Sequence, residues 1–176
     1  RENFRYTLSI LKQLSEQNLI EFAKEPYSVY FFTDLGAGQI KAILKHLGAK
    51  IIFILDHHSF DKKIIASIPK NIMLLNPHVF DIDGSTEISG SGVAYFFAEA
   101  MNQKNMDLAH LGVIGAIGDT QEKKEFVGLN RKILETAISQ KKIKVQIGLR
   151  WFGLETNPLH KILAYSTDPI VPGIFG

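Results

Sequence analysis

Residues 53–63, "FILDHHSFDKK", end an apolar run on an acid and two imidazoles, Asp56-His57-His58. Apolar strands usually stop at Gly, Asn or Pro. Three consecutive side chains able to bind a metal raise a different chemistry. Two further acids have a similar setting. Asp34 closes "VYFFTD" and precedes "LGAGQ", where Gly36 and Gly38 allow a sharp turn and leave amide N–H groups near the carboxylate. Asp119 lies in "GAIGDTQ" after a very apolar segment, where an unpaired acid is costly to bury. A divalent cation would pair Asp34, a histidine of 57–58 and Asp119 together. Mixed carboxylate and imidazole ligands suit Mn2+ as well as zinc or iron(II). Each residue also has a plainer use: Asp34 as a helix N-cap, Asp119 as a turn cap, His57 and His58 as donors to backbone carbonyls. It is their combination at strand ends that favours the metal. His46, His78, His110 and His160 lie outside the cluster and keep the plainer use.

A second feature accompanies these residues. "SGSGVAYFF", residues 89–97, starts a helix with small side chains. Free amides at a helix N-terminus attract anions, and glycine lets a phosphate come close. Ser89, Gly90 and Gly92 are therefore candidate phosphate-binding residues, although the same residues also serve simply to start a helix.

Elements must carry these groups to one place. "YSVYFFTDL", "KIIFILD" and "NIMLLNP" read as strands, continuous and apolar as in a sheet buried on both faces. "YTLSIL", Tyr6 to Leu11, is a shorter strand candidate. Ser15 caps a helix through "EQNLIEFAKE", which Pro26 ends. "AGQIKAILKHLG" places Ile40, Ile43, Leu44 and Leu47 on one helical face, with Gly48 as C-cap. "SGSGVAYFFAEAMNQ" and "LNRKILETAISQ" are helical. "MDLAHLGVIGAIGD" is apolar almost all round, either a buried helix or a helix giving way to a loop. From Ile143 onward Pro158, Pro169 and Pro172 break up the pattern. Strands alternating with helices predict an α/β fold, a parallel β-sheet flanked by helices on both faces. In such sheets ligands lie at the carboxyl ends of the strands, where Asp34 and Asp56-His57-His58 fall.

Composition sets bounds. The 176 residues suffice for one domain, and the hydrophobic share of 45% and charged share of 22% are ordinary for a globular protein. No apolar run approaches a membrane span, so no membrane partner is expected. There is no Cys, which excludes disulfides and thiolate metal sites and is compatible with the cytoplasm. The chain begins with Arg1, not Met, which suggests a fragment. The net charge is only +2, but Lys123, Lys124, Arg131, Lys132, Lys141, Lys142, Lys144 and Arg150 fall in one stretch with few acids. Either this is a solvated helical face, or Lys141, Lys142 and Lys144 meet a nucleic-acid backbone.

Together, Asp56-His57-His58, "FFTDLGAGQ", "NPHVFDIDGSTEISGSGVAYFF" and "GAIGDTQ" resemble the motifs of the DHH phosphoesterase superfamily. The tail "FGLETNPLHKILAYSTDPIVPG" is similar to that of archaeal RecJ-like proteins, including the GINS-associated nuclease. The resemblance implies a Rossmann-like DHH domain over residues 1–176 and two Mn2+ ions, with Mg2+ as substitute. Asp34 would bridge the ions, and His57 and Asp119 would complete one site. Asp56 would orient a ligand or approach the metal, and His58 would face the scissile phosphate. It implies a cytoplasmic, single-strand-specific exonuclease acting on DNA or RNA in replication or repair. One departure stands out. The family's first motif, Asp-x-Asp-Gly, should precede Asp34, where the only acids are Glu2, Glu16, Glu21 and Glu25. The domain is thus expected to be incomplete at its N-terminus and to lack the family's C-terminal substrate-binding domain. Two alternatives follow: a catalytically impaired replication scaffold binding GINS and the MCM helicase, or a small-molecule phosphoesterase acting on cyclic dinucleotides or pyrophosphate.

Overall fold

The computed structural model describes residues 4–146, 148, 151, 153–154, 156–166 and 172–173. Arg1, Glu2, Arg150 and Pro169, named above from sequence, lie outside them. The described chain forms two compact units, residues 1–143 and 144–176.

The first unit is built on a three-stranded parallel sheet in the order β1-β2-β3. The strands are β1 (Val29–Thr33), β2 (Ile51–Leu55) and β3 (Ile72–Leu75). Their register aligns Phe31 with Phe53 and Phe53 with Met73. The architecture is α/β and Rossmann-like. Side chains alternate across it as pleating requires. On one face Phe32, Ile52, Ile54 and Ile72 are buried under α1 (Glu16–Lys24) and α2 (Ile40–Leu47), which contribute Leu19, Ile40, Ile43 and Leu47 to the same core. α1 starts on a capping box between Ser15 and Asn18. It ends at Glu25, whose extended backbone is what a following Pro26 demands. Gly48 is the C-cap of α2, as expected, but it keeps right-handed backbone with φ −58°.

The other face is covered unevenly. At the carboxyl end Leu55 packs with Ile88 and Val93, the latter from α3 (Gly90–Met101). Further back, Phe97 of α3 meets Phe31 and Phe53 edge-on. Phe31 and Met73 remain half exposed, at 51% and 54%. The continuous apolar strands predict a sheet fully buried on both faces; among the described residues this face is covered only in part.

α4 (Ala109–Gly118) and α5 (Gly128–Ser139) pack with α3 around Tyr95, Val113, Ala116, Ile133 and Ala137. Ser91 Oγ donates to the Gly112 carbonyl, so α4 comes close to α3 through its glycines. The all-round apolar segment thus resolves into a helix with one buried face, while Leu111, Ile114 and Ile117 stay exposed.

One expected element is not formed. Residues 6–11 make no strand, and Phe4, Tyr6, Leu8 and Ile10 are exposed, Ile10 at 91%. Apolar alternation selects a strand only where a neighbour supplies the ladder of hydrogen bonds, and no described strand pairs with this segment. In the second unit, Pro158 precedes the short helix α6 (Leu159–Tyr165). No helix among the described residues is long and apolar enough to cross a membrane.

Candidate metal centre

β1 and β2 run parallel and in register, so their carboxyl ends deliver Asp34 and Asp56-His57-His58 side by side. The Asp34 amide donates to the Leu55 carbonyl, extending the ladder by one step. There the chain breaks away sharply. Asp34 has φ 63° and Gly36 φ 112°. Asp tolerates the left-handed region better than most residues, and non-glycine residues held there cluster at functional sites.

Asp56 is buried and fully satisfied. Its Oδ2 accepts from the Ala37 amide at 2.8 Å. Its Oδ1 accepts from the His57 amide at 2.8 Å, the His58 amide at 3.2 Å and His58 Nδ1 at 2.7 Å. The turn at Gly36 therefore supplies an amide to Asp56, whereas the sequence suggested such amides for Asp34. With both oxygens committed to the chain, Asp56 is placed to orient His58 and the loop rather than to reach a cation.

His57 is the buried centre of the site. Its Nδ1 donates to the Gly84 carbonyl at 2.6 Å. Its Nε2 lies 3.1 Å from Asp34 Oδ1 and 3.6 Å from Asp119 Oδ2. Yet Nε2 has no aligned hydrogen-bond partner, although it is buried. A buried, unsatisfied ring nitrogen between two carboxylates fits a metal ligand: the Gly84 bond fixes the proton on Nδ1 and leaves the Nε2 lone pair for a cation. Without a cation, a proton takes that place. Burial opposes charge on His57, but Asp34, the Gly84 carbonyl and Asp119 outweigh it and raise the imidazole to about 9. The same pairing with His57 lowers the carboxyl of Asp34 against the opposing effect of burial.

His58 joins the group. Ligand atoms of Asp34, His57 and His58 all lie within 4.8 Å of one another. The two imidazole rings are 4.3 Å apart, and the His58 side chain is 60% exposed. Since Asp56 holds His58 Nδ1, Nε2 is the nitrogen left for a ligand or substrate.

Asp119 caps the end of α4, its amide donating to the Gly115 carbonyl. Thr120 follows with φ 55°, an uncommon conformation for a β-branched residue. This turn brings Gln121 back under the site, where it is buried.

The glycine-rich helix start is also at the site, but its residues divide. Gly90 lies directly against the Asp34 carboxylate, so that even a Cβ would collide with it. Ser89 is buried, and its Oγ accepts from the Gly92 amide and pairs with Ser91 Oγ. Gly92 is turned into the core against Ile88 and Ile133. Its amide is taken by Ser89 Oγ, and its small size serves packing. The N-terminus of α3 faces the Asp34 carboxylate.

Lys141, Lys142 and Lys144 are exposed. Arg131, read with them as one basic stretch, has its charge shared with Glu135 at 3.3 Å and Glu125 at 3.9 Å. Lys144 belongs to the second unit.

Three residues of the site are not singled out by the sequence: Gly84 and Gln121, which lie inside motif stretches, and Asn130, which lies inside a predicted helix. Asn130 does leave a signal, because it occupies the same face of α5 as Ile133 and Ala137. A polar residue in an apolar phase marks a buried hydrogen-bonding role.

Comparison with family models gives no match. The chain is 35% identical over 177 residues to an uncharacterized protein of Methanocaldococcus jannaschii, an alignment covering 99% of this chain. The chain spans about two fifths of that relative, 39% of its length.

Proposed function

We propose that this chain carries the metal-binding edge of a phosphodiester-cleaving enzyme, a RecJ-like exonuclease acting on single-stranded DNA or RNA in replication or repair. The observation that carries the reading is the buried Nε2 of His57, which faces the carboxylates of Asp34 and Asp119 without an aligned hydrogen bond to either. Asp34, His57 and Asp119 would hold the cation, Mn2+ or in its place Mg2+. When bound, such an ion supplies Lewis-acid stabilisation of charge on a phosphoryl group. The remaining residues act around it. Asp56 fixes His58 through Nδ1, leaving the other nitrogen toward substrate. Gly90 keeps the approach beside Asp34 free of side chains. The motif resemblance around Asp34, Asp56-His57-His58 and Asp119 supports phosphodiester chemistry over other uses of a carboxylate–imidazole site.

Calorimetric titration of Mn2+ into wild type and Asp34→Ala tests the site. Binding by wild type and at least roughly tenfold weaker binding by the variant are expected; equal binding would remove the assignment. Incubation of the full-length protein with end-labelled single strands and Mn2+ tests the activity. Metal and GINS binding without cleavage would favour the scaffold, and cleavage of cyclic dinucleotides alone would favour the small-molecule enzyme.

A further inference from the structure

A buried chain of side-chain amides runs behind the ligands. Gln121 Nε2 donates to Asp119 Oδ2 at 2.7 Å and to the Gly84 carbonyl at 2.8 Å. Both acceptors face His57, one at Nε2 and the other at Nδ1. A single amide therefore holds the groups on both sides of the imidazole. Its orientation is not free. Asn130 Nδ2 donates to Gln121 Oε1 at 2.7 Å, which fixes the oxygen away from Asp119 and the NH2 toward it. Asn130 is anchored in turn. Its backbone amide donates to the Glu87 carbonyl at 2.7 Å, and its Oδ1 accepts from the Ser89 amide at 3.4 Å. Gln121 is 3% exposed and Asn130 2%. Two neutral amides at such depth destabilise the fold unless their polar atoms are used, and here they are.

We propose that Gln121 and Asn130 are positioning residues: Asn130 sets the orientation of the Gln121 amide, and Gln121 holds Asp119 and the Gly84 carbonyl in place around His57, so that the pair governs affinity for a divalent cation. This rests on the divalent-cation reading of the site. Partners behind metal ligands typically change affinity by about tenfold to a hundredfold when removed. The pair differs from an ordinary buried polar contact in one respect. Asn130 touches none of the ligands; its shortest side-chain contact is the one to Gln121, with longer ones to the Ser89 amide and the Thr86 carbonyl.

The test uses Gln121→Met and Asn130→Leu, which are close in side-chain shape and remove the amides, and their double variant, with folding checked by circular dichroism. Mn2+ titration should show roughly tenfold or greater weakening for each single variant. The double variant should be weaker by less than the product of the two single effects, because both break the same relay. If Gln121→Met does not fold, Asn130→Asp, which replaces the NH2 that donates to Gln121 and Thr86 by a carboxyl oxygen, takes its place. A second readout needs no metal: exchange of the His57 Nδ1 proton with water, followed by proton NMR, should accelerate several-fold in each variant as the Gly84 carbonyl loosens. Unchanged Mn2+ affinity together with unchanged proton exchange would overturn the proposal. If wild type binds no Mn2+, the cation reading itself fails. The exchange rate then decides whether the relay holds His57, and an unchanged rate overturns that too.

Discussion

Gly84 and His57 are locked together by two contacts of opposite kind. The Gly84 carbonyl accepts the His57 Nδ1 proton at 2.6 Å, and the Gly84 Cα lies so close to the His57 carbonyl that a Cβ there would collide with backbone. At this position of the loop "IDGS" any side chain forces the backbone to shift. Gly84→Ala should cost about 1–3 kcal/mol, the usual range for an overpacked site, measured by urea denaturation. It should also weaken Mn2+ binding, because relief of the collision moves the carbonyl away from Nδ1. A variant of wild-type stability would show that the loop yields freely.

The charge on His57 gives a pH dependence with a definite sign. Its value is raised from 6.5 to about 9, burial opposing and Asp34, Gly84 and Asp119 prevailing. A value raised by folding contributes stability that is complete below 6.5 and lost as pH rises through about 9. Metal-free protein should therefore lose this contribution between those limits. Mn2+ affinity should move the other way, rising about tenfold per pH unit until His57 has lost its proton, then levelling. Calorimetry in buffers of different ionisation enthalpy should detect the release of a proton on binding. Affinity that is flat from neutral pH to about 9 would contradict the site.

The two histidines should separate in their effects. His57 is buried between the acids, whereas His58 is exposed and held by Asp56. His57→Ala should weaken Mn2+ binding by an order of magnitude or more, in line with loss of a ligand or its support. His58→Ala should keep most of the affinity and lower turnover of the full-length enzyme. The opposite pattern would mean that the roles are exchanged.

The exposed lysines can be tested by salt. Replacing Lys141, Lys142 and Lys144 with Gln should weaken binding to single strands. It should also flatten the slope of log K against log salt by about 0.7 for each phosphate that is no longer neutralised. Folding should change by less than about 1 kcal/mol, because exposed charges contribute little. Lys141 has φ 55° just after α5, and Gln carries the same Cβ into that conformation. Unchanged affinity and slope would leave these lysines as a solvated surface.

The strands are legible in the sequence because a parallel sheet buries long apolar runs, and Phe32, Ile52 and Ile54 are buried as their alternation requires. The ligand candidates are legible because charged residues at the end of such runs are conspicuous, and Asp34 and His57 do meet there. Residues 6–11 mislead because alternation reports a preference and not a partner. Gly84, Gln121 and Asn130 are harder to see because their roles depend on contacts between segments distant in sequence. A glycine in a polar loop and an amide in a helix look ordinary until the fold shows what lies opposite them. The division between Gly90 and Gly92 is hidden for a similar reason: both start one helix, but its rotation turns one to Asp34 and the other to the core.

The site is assembled from distant stretches of chain. Ala37 and Asp56 are 19 residues apart, Gln121 and Gly84 37, and Asn130 and Ser89 41. Contacts of this kind each carry the entropy cost of closing a loop. No short piece of the chain can hold the arrangement, and partial unfolding at any of these segments dismantles it. Cation affinity is therefore a gauge of cooperativity: it should vanish in the same transition that melts the sheet, and a bound ion should raise the midpoint of that transition.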